Sequence, residues 1–281
     1  MAGLKKANNN KDLDKVVNQI EDESVRQLDT EIEVSEDGLV HDEPLLAGYV
    51  DKDGVLHTTF SYREMNGKDE EAISKAEVRQ NGAKMVNVLV ERCVEKIGTL
   101  TKKDCGVRWG SIVRELLGGD LDYMAFKIRE LSKGKEVEFT HKCPNCGTKL
   151  TTIVSTDEFN VNPYMGQSTI DFTLIRGYKD RAGVHKDGTI RLPNGFDREI
   201  VTPLFKKNMS TAMTMMMTRL ISFNDGALVT QNGVSEMSLR DREVLEKIIR
   251  ENTFGVDTNL EIVCSSCGQD ISGEVGQSNF L

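Results

Sequence analysis

Four of the six cysteines in this 281-residue chain are spaced to hold a metal ion. They form two C-x-x-C-G motifs, Cys143-Pro144-Asn145-Cys146-Gly147 and Cys264-Ser265-Ser266-Cys267-Gly268. In such a knuckle a tight turn aims two thiolates at one point, and the glycine supplies the left-handed backbone that the turn often needs. Two knuckles supply four sulfurs, the closed tetrahedral shell of a structural zinc site with Cys143, Cys146, Cys264 and Cys267 as ligands. Two other chemistries compete, besides cysteines that hold no metal. A dithiol redox pair normally follows a strand leading into a helix, a context missing here. A catalytic zinc needs an open position, which a four-sulfur shell does not leave. The odd feature is the gap, because 117 residues separate Cys146 from Cys264. Ordinary zinc ribbons use far shorter gaps. A shared metal here would clamp two distant parts of one fold.

No other set of residues makes an enzyme. The histidines, His41, His57, His141 and His185, show no i, i+4 pair and no Ser-His-Asp order. His141 lies two residues before Cys143, where a place around the ligands or in solvent fits better than ligation, since four cysteines fill the site. There is no phosphate-binding G-x-x-x-x-G-K-[ST] and no G-x-G-x-x-G opening a helix. Asp120, Arg129, Asp241 and Arg250 read as helix caps and helix-end ion pairs rather than catalytic groups. Met209, Met213, Met215, Met216 and Met217 suit either an adaptable peptide-binding surface or a core stripe, and the stripe explains them better. Gly118-Gly119 reads as a loop, and Trp109 and Cys105 as core.

The elements that must position the knuckles are hairpins. Glu136–Lys142 and Lys149–Val154 alternate around the first pair, and Asn259–Val263 and Asp270–Val275 around the second. Sliding the chain against itself reveals a repeat. At an offset of 121, Asp120 meets Asp241, Arg129-Glu130 meets Arg250-Glu251, Ser132 meets Thr253, Gly134 meets Gly255, and the knuckles coincide. At 128, Arg63-x-x-Asn66-Gly67-x-Asp69-x-Glu71 meets Arg191-x-x-Asn194-Gly195-x-Asp197-x-Glu199, Met85 meets Met213, and Gly98 meets Gly226. At 134, Lys52-Asp53-Gly54 meets Lys186-Asp187-Gly188. Each half is thus expected to run from a hairpin turning at Lys-Asp-Gly, through an acidic helix start, to a helix ending near Gly98 or Gly226. A second helix, N-capped by Asp120 or Asp241, then leads to the zinc hairpin. Helical spacing supports this at Met85, Leu89, Cys93 and Ile97, at Tyr123, Met124, Ile128 and Leu131, and at Val244, Leu245, Ile248 and Ile249.

The fold class is therefore α+β, with two pseudo-symmetric repeats, 46–160 and 161–281, sharing one four-cysteine zinc site. Residues 1–45 form an acidic N-terminal arm, partly disordered or ordered by a partner, with one short helix expected around Leu13, Val16, Val17 and Ile20. The arm holds 12 acidic and 5 basic residues, most of the net charge of −9, which leaves the body nearly neutral. Counterion release from phosphates needs a cationic stripe. None stands out, so nucleic-acid binding is not expected, and a zinc-ribbon nucleic-acid-binding or regulatory protein is the second reading. No apolar run reaches membrane-spanning length, and the first residues lack the apolar region of a secretory signal. Folding in a cytoplasm is the expectation.

The ordered motifs resemble a known group. Tyr62-Arg63-Glu64-Met65-Asn66-Gly67-Lys68-Asp69-Glu70-Glu71 follows an Asp53-Gly54 hairpin, then come Asp120 through Arg129, Ser132 and Gly134, then the first knuckle. This series is similar to the baseplate hub or tail-assembly proteins of T4-like contractile-tailed bacteriophages, over about residues 46–281. The resemblance implies a non-enzymatic role in a virion tail baseplate, as hub component or as assembly chaperone in the host cytoplasm. Its implied partners are other phage tail or baseplate proteins, with room for a homo-oligomer within a symmetric assembly. The second half departs from the motif at Ser265, where the first has Pro144, and at Thr253, where it has Ser132.

Overall fold

The computed structural model describes residues 34–274. The short helix expected around Leu13 to Ile20 lies outside them. In the first half, β1 (Val40–Val50) and β2 (Leu56–Tyr62) form a hairpin, followed by α1 (Gly67–Ile73), α2 (Ala76–Arg79), α3 (Gly82–Cys93), β3 (Val94–Ile97) and β4 (Leu100–Thr101). Then come α4 (Lys102–Cys105), α5 (Trp109–Glu115), α6 (Gly118–Lys133), the knuckle hairpin β5 (Glu136–Lys142) and β6 (Lys149–Ser155), and β7 (Asn160–Asn162). The second half runs β8 (Thr169–Lys179), β9 (Val184–Arg191), α7 (Gly195–Phe205), α8 (Met209–Leu220), β10 (Ile221–Phe223), α9 (Gln231–Glu236) and α10 (Leu239–Glu251). It ends with β11 (Gly255–Asp257), β12 (Asn259–Val263) and β13 (Asp270–Glu274). Strand β1 begins at Val40, so the last residues of the expected arm belong to the first hairpin.

The chain is mixed α and β. One sheet has the order β1-β2-β3-β4 and another β10-β9-β8. Each lies beside its own apolar core, one around Phe60, Leu89, Val90 and Met124, the other around Leu174, Ile190, Met217 and Leu245. The methionines serve the second core. Met216 and Met217 are buried, Met213 and Met215 pack against it half-buried, and Met209 alone of the five is exposed.

Local chemistry explains the helix starts. Asn66 and Asp69 form a capping box at α1, and Asn194 and Asp197 form the same box at α7. Reciprocal bonds of this kind satisfy two of the donors that a helix start leaves open. The box carboxylates also bind arginines. Asp69 accepts from Arg63 Nη1 at 2.6 Å and Arg92 Nε at 2.7 Å, and Asp197 from Arg191 Nη1 at 2.5 Å and Arg219 Nε at 2.8 Å. Asn81 and Asn208 cap α3 and α8.

Four expectations change. The turn of the second hairpin lies at Asp180–Gly183, where the Asp180 N–H bonds to the Gly183 carbonyl, while Lys186-Asp187-Gly188 falls inside β9. A strand position suits Gly188, because a Cβ there would lie 2.3 Å from the Ser222 carbonyl oxygen of β10. Helices α3 and α8 end at Cys93 and Leu220, and short strands intervene before Gly98 and Gly226, which are turn residues with φ +55° and +79° rather than helix caps.

The third correction concerns the aspartates. Helix α6 is preceded by Leu117 and α10 by Ser238, so Asp120 and Asp241 are third helical residues, not N-caps. Each side chain reaches out to a bulge. The β1–β2 register shifts between Pro44 and Tyr49, and the β8–β9 register between Thr173 and Tyr178. Bulged residues lose their ladder partners. Asp120 Oδ1 accepts from the amides of Leu46 and Ala47 at 2.7 and 3.1 Å, and Asp241 Oδ1 from Ile175 and Arg176 at 2.5 and 3.0 Å. The bulges close through Gly48 and Gly177, with φ +84° and +89°, where a Cβ would lie 2.9 Å from a facing carbonyl oxygen. Gly118 and Gly119 lie in the first turn of α6, not in a loop.

The halves touch along much of their length. Asn87 Nδ2 of α3 donates to the Gly195 carbonyl and to Glu199 of α7. Arg114 Nε donates to Glu199 at 3.1 Å, and Arg198 donates to the Gly118 carbonyl and to Asp122. Strand β7, at the junction of the two halves, pairs with β11 late in the second. Phe126, Val137, Val154 and Phe159 form a small core that includes Val256 and Ile262 of the second half. The knuckles are therefore one join among several.

Candidate metal centre

Each knuckle is the end of a hairpin. Strands β5 and β6 pair without a shift from Glu136 opposite Ser155 to Lys142 opposite Lys149. Strands β12 and β13 pair from Asn259 opposite Glu274 to Val263 opposite Asp270. The expected strands are thus present at both knuckles.

The two turns share one set of bonds. The Gly147 amide donates to the Cys143 carbonyl at 2.9 Å, and the Cys143 amide to the Thr148 carbonyl at 2.9 Å. In the second knuckle Gly268 donates to Cys264 at 2.8 Å and Cys264 to Gln269 at 2.9 Å. Gly147 and Gly268 have φ +74° and +70°, the left-handed conformation expected from the motif.

The hairpins bring the four sulfurs together, all within 4.8 Å of one another. Across the knuckles, Cys143 Sγ lies 3.7 Å from Cys267 Sγ, and Cys146 Sγ lies 3.7 Å from Cys264 Sγ. Four sulfurs held about 2.3 Å from a zinc ion in a tetrahedron are about 3.8 Å apart. The spacing therefore fits a metal ion, and the cluster is a possible metal site. Cys143 and Cys264 are buried, with Leu150 and Ile271 packed beside them, while Cys146 and Cys267 are exposed.

The surroundings treat the thiols unequally. Hydrogen bonding to Thr148, first through its hydroxyl and then its backbone, holds the Cys146 thiol down to about 6. Burial pushes Cys264 up to about 11. Asn145 Nδ2 donates to Cys267 Sγ at 3.6 Å, across from one knuckle to the other. Sequence reasoning missed this bond, because an asparagine inside C-x-x-C carries no signal of where it points. His141 is half-buried in β5 opposite Leu150. Among the described residues no other group of three or more His, Cys, Asp or Glu side chains is placed to hold a metal. Nor is any helix among them long and apolar enough to cross a membrane.

Residues 50–269 match the family model described as T4 bacteriophage base plate protein. The match covers most of the chain, which belongs to that family. No curated protein and no solved structure matches it.

Proposed function

We propose that this chain is a non-enzymatic structural or assembly protein of a contractile phage tail baseplate, built from two copies of one unit and stapled by a structural zinc ion. The observation that carries the reading is the meeting of two knuckles, 117 residues apart, in a chain of the base plate family. Cys143, Cys146, Cys264 and Cys267 are the proposed ligands. A bound zinc would supply a rigid cross-link and no open position for a reacting water. The repeated Asn–Asp capping boxes, arginine pairs, bulge aspartates and knuckles support the duplication, since among the described residues each occurs once per half in the same order.

Partners on this reading are other tail or baseplate proteins, and the site of action is the virion tail or the assembling tail in the host. Mass spectrometry of purified, salt-washed tails separates the two. A chain present in stoichiometric amount is a component, and one absent from mature tails but bound to assembly intermediates is a chaperone. Its absence from both would sink the reading. Elemental analysis of the purified protein tests the staple independently, with one zinc per chain expected and none once Cys143 and Cys264 are replaced by serine.

A further inference from the structure

The two bulge aspartates differ in one respect. Asp241 satisfies both oxygens, because Ser238 Oγ donates to its Oδ2 at 2.8 Å and the Arg176 amide lies 3.3 Å from the same atom. Asp120 Oδ2 is buried and meets no hydrogen-bond donor among the described residues. The shorter of these two bonds is lost through a single residue. Leu117 occupies in the first half the place that Ser238 occupies in the second, with nearly the same backbone, φ −65° and ψ 148° against −60° and 146°. A buried carboxylate oxygen without a donor is costly, and a proton on it removes most of the cost.

We propose that the joint between β1 and α6 is a proton-dependent latch, in which a proton on Asp120 holds the first hairpin firmly, while the matching joint at Asp241 works ionised. Burial pushes the Asp120 carboxyl up to about 6, with the amides of Ala47, Leu46 and Gly48 opposing. At Asp241 burial also acts upward, but the Arg176 amide, the Ser238 hydroxyl and the Ile175 amide outweigh it and the carboxyl stays low. Among the described residues no charged group takes over the role of the missing donor. On β1, Glu43 is engaged by Tyr123 and Lys127. On α6, Asp122 is engaged by Arg198. On α3, Glu91 is engaged by Arg114 and Arg92 by Asp69. On α7, Asp197 holds Arg191 and Glu199 holds Arg114, and on β11 Asp257 binds Asn259.

The sign follows from linkage. The folded carboxyl titrates above an unfolded aspartate, so ionisation weakens the fold above pH about 6 and the penalty disappears below about 4. The first hairpin is then the more readily released of the two at neutral pH.

Carboxyl-carbon NMR of the whole chain, labelled at aspartate and assigned by loss of the signal in D120N, tests this directly. Asp120 is expected to titrate near 6, about two units above a free aspartate. Leu117→Ser supplies the second half's hydroxyl and should lower that midpoint by at least about one unit. It also removes an apolar side chain, so the readout is the pH dependence of its Tm relative to the parent. That difference should move in the variant's favour by about 3 °C between pH 5 and pH 8. Ser238→Ala is the mirror test and should raise the Asp241 midpoint. An Asp120 midpoint below about 4.5 overturns the proposal, as does one that Leu117→Ser leaves in place. Should Leu117→Ser not fold, the parent titration and Ser238→Ala decide.

Discussion

At the scale of single residues, carboxylates set the local rules of this molecule. Asp69 is fully buried between Arg63 and Arg92. Burial alone would raise its carboxyl, but Arg63, the Asn66 amide and Arg92 bring it down to about 2. Its contribution is therefore present above the unfolded carboxylate range and lost as pH falls from about 4 toward 2, the opposite sense to Asp120. Acid unfolding of Asp69→Asn should lose this component, and Asp69→Ala should cost about 3 kcal/mol by denaturant titration, because two arginines lose their shared partner. The meeting of the four cysteines was legible at this scale because two C-x-x-C-G motifs in one chain suggest one shared site. The reach of Asp120 and Asp241 was not, because an aspartate at a helix start looks the same whether it caps its own helix or bonds another strand.

Among elements, one tight approach is that of α6 to the chain before β11. A Cβ on Gly119 would lie 2.5 Å from the Phe254 ring and 2.6 Å from its carbonyl oxygen, and Gly255 packs on Gly119 with φ +106°. Gly119→Ala should therefore cost about 2 kcal/mol, read as a lowered Tm with an unchanged zinc content. Helices and knuckle hairpins were legible from periodicity and turn residues. The second hairpin turn was misplaced by a shared Lys-Asp-Gly, since three matching residues cannot report which strand register surrounds them. Pairing of β7 with β11 left no trace in the sequence, because each strand is three residues long and its partner is remote.

For the whole molecule, the question is how much of the joining would rest on the proposed metal. Direct contacts between α3, α5, α6 and α7 and the shared small core hold the halves together as well. If the proposed zinc is bound, a strong chelator should thus lower the Tm and raise hydrogen exchange in β5, β6, β12 and β13 while the two larger cores stay protected. An unchanged melting curve would show that the knuckles carry no stabilising metal. Proteolytic nicking in the exposed stretch around Met165 and Gly166 should leave both fragments associated on gel filtration, with or without metal. The resemblance pointed to the family over nearly the span that the family model covers. The polar contacts between the halves remained invisible because the partners of side chains such as Asn87 and Arg114 lie on another part of the chain.

The pairing of β7 with β11 also sets a timetable for synthesis. At roughly 5–20 residues per second, the ribosome adds the 92 residues between Asn162 and Gly255 in about 5–20 s. Through that interval a nascent first half carries an unmatched strand and two thiols that cannot complete a tetrahedral shell. It becomes finished only when the last strands of the second half emerge.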